Sequence, residues 1–130
     1  MRHLAALLTL LLLAACESKP IAPRADAVDP YPAVTVEKSI GRSIVVDYDL
    51  IVFDPLQENR PAAVQVPVRS TAKYPINVQY QFTWYDEKGR RVRDSGWKFQ
   101  NMPTGLQRMF SSNAIDDRSS QWRLEIRSAR

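Results

Sequence analysis

The stretch that most limits what this chain can become is INVQYQFTWY, residues 76–85. Ile76, Val78, Tyr80, Phe82 and Trp84 fall on one side of a period-two pattern, and Asn77, Gln79, Gln81, Thr83 and Tyr85 fall on the other. Side chains of an extended chain point alternately to opposite faces, so five large apolar groups in step describe a strand buried on one side. Each of them contributes about 1.5–3 kcal/mol when buried, and a slip of one residue would carry the whole set into water. This strand is expected to anchor the core.

The rest of the chain from Val34 onward reads as short β-rich runs between turn residues, and no window sustains a helical period. Candidate strands are 43–53, broken around Asp47, Tyr48 and Asp49, and 62–70 with Val64, Val66 and Val68 inward. Others start near Arg91, or run 97–101 around Trp97 and Phe99, 105–112 around Leu106 and Phe110, and 121–127 with Trp122, Leu124 and Ile126 on one face. Pro67 cannot donate to a ladder, so it is expected at an edge or with its nitrogen toward solvent. After Tyr85, Asp86 can start a turn and Gly89 can supply the positive φ of a bulged hairpin. About seven alternating strands in this length predict an all-β, immunoglobulin-like antiparallel β-sandwich, with a small closed barrel as the alternative.

Ahead of the strands lies LLTLLLLAACESKP, residues 7–20. Arg2 provides a positive start, and Leu4 through Ala15 form twelve residues broken only by Thr9. A spanning helix needs roughly 20 apolar residues, so this run has the proportions of a removable signal. Its end, Leu13-Ala14-Ala15-Cys16, resembles the lipobox of bacterial lipoproteins. That resemblance implies cleavage before Cys16, a diacylglyceryl group on its sulfur and palmitate-type acylation of the new amino terminus. Glu17 stands where an aspartate would favour inner-membrane retention, which points to the periplasmic face of the outer membrane. Residues 1–15 are thus expected to be signal, 16–33 a lipidated cysteine and proline-rich tether, and 34–130 one domain. Tyr31 onward could instead pack back on the domain as an irregular strand.

The histidine at position 3 and the cysteine at position 16 are the chain's sole members of their types, so a processed chain would hold no histidine and no free thiol. Zinc sites on His or Cys, a Ser-His-Asp triad and a Cys-His pair then lack a required member. Carboxylate or Ser-Lys chemistry survives without a local signature, and an enzyme is not expected. No metal or cofactor is expected either.

Charge is uneven. Residues 88–130 carry ten Lys or Arg against four acids, whereas 17–87 carry seven against ten. The densest cluster, Lys88, Arg90, Arg91 and Arg93, is expected to be a solvated turn that protects a strand edge, or else a tip that docks an anionic partner. Trp97, after Gly96, reads first as filler between the sheets and second as a platform for stacking on a sugar ring. Asp47, Asp49 and Asp54 lack the glycine and terminal glutamate of a calcium loop and read as a solvated edge.

The segment VQYQFTWYDEKGRRV (78–92), followed by Trp97 and by WRLEIR (122–127), resembles the YcfL-like family of small bacterial lipoproteins of unknown function. The likeness covers roughly residues 40–130, and STAKYP at 70–75 departs from the Asn-rich turn of that family. It implies a lipid-anchored, immunoglobulin-like periplasmic domain without known catalysis, linked through gene neighbourhood to lipoproteins that activate peptidoglycan synthases. The expected role is a non-enzymatic accessory module for another envelope protein, held to the membrane by its lipid and without nucleic-acid partners. A peptidoglycan- or glycan-binding module is the alternative, and a carboxylate hydrolase a third. Replacing Cys16 with Ala is expected to move the chain from the membrane pellet to the soluble fraction, read by fractionation and blotting.

Overall fold

The structure is a computed structural model that describes residues 33–129. The signal, Cys16 and the tether through residue 32 lie outside the described residues; Ala33, the last residue assigned to the tether, is buried against β9. The domain is an all-β sandwich of two sheets, the class expected from the alternation. Its strands are β1 (Val34–Val36), β2 (Ile44–Val46), β3 (Val52–Asp54), β4 (Ala63–Ser70), β5 (Ile76–Tyr85), β6 (Arg91–Asp94), β7 (Lys98–Met102), β8 (Gln107–Asn113) and β9 (Gln121–Ser128).

In the first sheet β5 is paired along both edges. One edge takes β9 antiparallel, from Val78 opposite Ser128 to Tyr85 opposite Gln121, and the other takes β7 and then β6. The outer edge of β9 takes β1. In the second sheet β4 lies between β8 on one side and β2 followed by β3 on the other. Nine segments therefore occupy seven strand positions, because two positions are each interrupted once. The sandwich is not wholly antiparallel as expected, since β1 runs parallel to β9, with Val34 opposite Leu124. The Ala33 carbonyl accepts from Leu124 N–H and Glu37 N–H donates to the Ile126 carbonyl, which fixes that parallel register.

The inner faces explain the alternation. Val78, Tyr80, Phe82 and Trp84 of β5, Trp122, Leu124 and Ile126 of β9 and Val64, Val66 and Val68 of β4 are all buried. Three side-chain contacts in the interior join the sheets. Tyr80 stacks on Phe110 with ring centroids 4.0 Å apart, Phe53 meets Trp122 at 6.5 Å, and the Trp84 indole N–H donates to Ser112 Oγ at 3.1 Å. Burial also pushes the Tyr80 phenol above its ordinary pKa of 10.0.

Pro67 departs from expectation. It is fully buried in the central strand of its sheet, opposite Met109. Its carbonyl accepts from Asp47 N–H, so its nitrogen points to the same side, toward β2 and β3. With no N–H there to receive, the Asp47 carbonyl takes Leu50 N–H instead, and the partner strand turns out through a 3-10 turn at Tyr48–Leu50. From Val46 to Val52 the partner uses six residues against three on β4, from Val68 to Gln65. The interruption of the 43–53 run is thus the structural answer to a missing donor, and it puts Asp49 on a turn, not a strand.

Two apolar residues of the expected strands lie outside the core: Phe99 is 63% exposed and Leu106 56% exposed, while Met102 and Phe110 are buried. Phe99 lies opposite Gln79, an outward position of β5, and Leu106 precedes the first residue of β8. Phe110→Ala is therefore expected to destabilise the chain by about 3–5 kcal/mol in urea unfolding. Leu106→Ala should change stability by no more than about 0.5 kcal/mol.

Candidate functional site

The four basic residues singled out by the sequence do not act as one patch. Asp86 closes the β5–β6 turn, with Oδ1 accepting from Lys88 N–H and Arg90 N–H, both at 2.9 Å, and Oδ2 accepting from Arg90 Nε at 2.8 Å. Gly89 takes the positive φ of 75° that the turn requires, and the ladder shifts register between Trp84 and Tyr85. The Arg91 guanidinium pairs with the Asp94 carboxylate. Two of the four charges are thereby compensated within the hairpin. Lys88 stays on the turn, and Arg93, opposite Trp84, goes to the open side of the sandwich.

The carboxyls that hold these connections titrate low. The Arg90 backbone N–H, followed by its guanidinium and the Lys88 N–H, keeps Asp86 below the ordinary carboxylate value. Asp94 is lowered first by the Gly96 N–H and then by Arg91. Asp116, in the loop before β9, is lowered chiefly by the Arg118 side chain, whose own pKa rises in return.

Trp97 is not the core filler that its residue type suggested. One residue before β7, it continues the outward side of that strand and is 36% exposed. Its ring carries the Arg127 guanidinium, with Cζ 3.5 Å from the ring centroid. Arg127 also donates from Nε and a terminal nitrogen to Gln79 Oε1, at 3.1 and 3.0 Å. A row of Arg127, Gln79 and Trp97 thus crosses β9, β5 and the start of β7, with exposed Phe99 beside it. Asn101 donates to Asn77 Oδ1 at 2.8 Å on the same face, and Arg123 lies over the Tyr85 ring at 5.9 Å. Next to this row a groove of about 490 Å³ is lined by Thr35, Glu37, Gln79, Glu125, Arg127 and Ser128.

This face was not found from sequence as a unit, although Trp97 was. The signal lay in the outward half of the 76–85 and 121–127 alternations, which are rich in amides and arginine. Which residue of β7 joins them depends on the break at Ser95 and Gly96. There Ser95 N–H donates to the Phe82 carbonyl, Ser95 Oγ accepts from Phe82 N–H, and Gly96 turns with φ of 71°. Asp47, Asp49 and Asp54 do not converge, and Asp54 lies 4.0 Å from Arg60. Among the described residues, no group of three or more His, Cys, Asp or Glu side chains gathers as a cation site.

Asp86, Asp94 and Asp116 each bind a proton less readily folded than unfolded. Their contribution to stability is complete above the ordinary carboxyl value of 3.8 and is lost as the pH falls through the lower folded values. The chain with Asp86→Asn is expected to lose less stability on acidification below that value than the unaltered chain, read by urea unfolding at a series of pH values.

Residues 49–128 match the family DUF1425, described as a protein of unknown function. No curated protein sequence matches the chain. Among solved structures, Campylobacter jejuni cj0090 is similar at a TM-score of 0.62 and 23% identity, covering 75% of this chain and 98% of that one. A DUF1425 family member from Shewanella sp. pv-4 is similar at a TM-score of 0.56 and 22% identity, covering 67% of this chain and 79% of that one. At such identities these likenesses speak for the fold. With the match running over most of the sandwich, from the 3-10 turn to the end of β9, the chain belongs to the DUF1425 family.

Proposed function

We propose that the protein is a non-enzymatic binding module that offers the outer face of its β5–β9 sheet to another envelope protein. The observation that carries this reading is the Trp97–Arg127 stack on the solvent side of a sandwich whose core is already closed. Trp and Arg are the residue types that concentrate binding energy at protein interfaces, and here Gln79 holds the guanidinium in position before any partner arrives. The Leu13-Ala14-Ala15-Cys16 sequence supports attachment by a lipidated Cys16 at the periplasmic face of the outer membrane. Within DUF1425 we place the chain with the YcfL-like lipoproteins, whose gene neighbourhood suggests a partner in peptidoglycan synthesis. A second reading, a glycan- or peptidoglycan-binding module, draws on Trp97 and Phe99 standing beside the amides of Asn77, Gln79 and Asn101, the side-chain types that stack on and hydrogen-bond to sugars.

A photo-crosslinker at Gln81 is expected to capture an envelope protein in intact cells. Trp97→Ala should abolish that capture by costing the complex about 2 kcal/mol or more, while folding changes by about 1 kcal/mol or less. Capture that survives Trp97→Ala, or that arises from Lys88 and not from Gln81, overturns the assignment of the face. Co-sedimentation with purified peptidoglycan that depends on Trp97, without protein capture, selects the second reading.

A further inference from the structure

Under the edge of the same sheet, on its inward face, the two sheets part between β6–β7 and β8. The cleft there measures about 190 Å³ and is lined by Trp84, Arg93, Asp94, Lys98, Ser112, Asn113 and Ser119, among others, so that two cations face one carboxylate. A water molecule takes about 30 Å³ of liquid, so the space accepts a group of several heavy atoms. Its chemistry is lopsided. Arg93 and Lys98 extend from inward positions of their edge strands, opposite Trp84 and Tyr80. Arg93 has no carboxylate at ion-pair distance among the described residues; its charge helps to lower the pKa of Asp94, whose carboxylate is held by Arg91 and by the Gly96 N–H. Lys98 Nζ reaches the Ser111 carbonyl at 3.2 Å, using one of its three donors, and lies 5.8 Å from the Tyr80 ring centroid.

The floor of the cleft adds hydroxyl groups without acceptors. Ser119 is 1% exposed, and its Oγ is buried with no hydrogen-bond partner. Ser112 is also buried, and its oxygen receives the Trp84 indole N–H, so its own proton is left to donate. A buried polar group without a partner costs about 1–3 kcal/mol, a cost that a ligand supplying acceptors would remove. Inward-pointing charges on edge strands protect a sandwich from edge-to-edge pairing, and Arg93 and Lys98 serve that purpose too. Protection does not account for buried hydroxyl groups lining the same cleft as the cations.

We propose that this cleft is an oxyanion site that receives a single carboxylate or phosphate group, with Arg93 and Lys98 supplying charge and Ser112 and Ser119 supplying hydrogen bonds. Donors from two cations and two hydroxyls match the acceptor-only surface of such a group. The site is separate from the Trp97 face and stands whether or not that face binds a partner.

The test uses the chain from residue 16 onward with Cys16→Ser, so that it stays in solution, labelled with nitrogen-15. Sodium phosphate and sodium acetate are titrated separately, with sodium chloride as the control at equal ionic strength. Saturable shifts of the Trp84 indole N–H and of the Asn113 and Ser119 amides are expected with at least one of the two. Phosphate alone indicates a phosphate ester such as a lipid headgroup as the source, and acetate indicates a carboxylate such as that of a peptide. Arg93→Gln and Lys98→Gln should each weaken binding by about tenfold, while Arg90→Gln leaves it unchanged. Shifts that match those in chloride, or that persist undiminished in both cleft variants, overturn the site.

Discussion

The burial of the inner side chains of β5 governs the rest of the molecule. That strand is hydrogen-bonded along both edges, and its inward residues Val78, Tyr80, Phe82 and Trp84 touch or approach the second sheet. The Tyr80–Phe110 stack and the Trp84–Ser112 hydrogen bond make the spacing of the two sheets a property of this one strand. Its outward residues then have fixed positions as well. Gln79 can hold Arg127 only because Val78 and Tyr80 are locked below it, so the ordered surface is the reverse side of a packed core.

Both interruptions of the strand positions place side chains that matter. Pro67 removes one donor from the centre of a sheet, and the facing chain responds by leaving the ladder at Tyr48–Leu50. Ser95 and Gly96 break the other position, and the residue after the break, Trp97, comes out on the solvent side. Bulges and breaks of this kind re-aim side chains at sheet edges, and here one of them supplies the aromatic member of the Trp97–Arg127 pair.

The alternations at 76–85 and 121–127 were legible in the sequence because a half-buried strand needs little beyond its own residues to declare itself. The turn at Asp86 and Gly89 was legible for the same reason, since its hydrogen bonds are local. Four features were not. Val34–Val36 is too short to show a period, and its partner lies ninety residues away, at Leu124–Ile126. The direction of Trp97, Phe99 and Leu106 depends on register relative to β5 and β4, and for Trp97 apolar character alone pointed wrongly to the core. The basic cluster looked unified because charge was counted along the chain, whereas Asp86 and Asp94 partition it in space. The oxyanion cleft combines Arg93, Lys98, Ser112 and Ser119 from different strands and loops, and no linear spacing announces it.

The position of β9 has a consequence for how the domain is made. The last strand in the chain lies inside its sheet, between β1 and β5, and supplies the partner for the whole inner half of that sheet. A polypeptide that emerges amino terminus first therefore leaves one hydrogen-bonding edge of β5, and β1, without a partner until residues 121–128 arrive. The contacts that close the sheet join residues distant in sequence, the kind of topology that folds slowly. Until β9 pairs, the half-built sheet presents an open seam between β1 and β5, the stretch that a chaperone sheltering extended strands would cover.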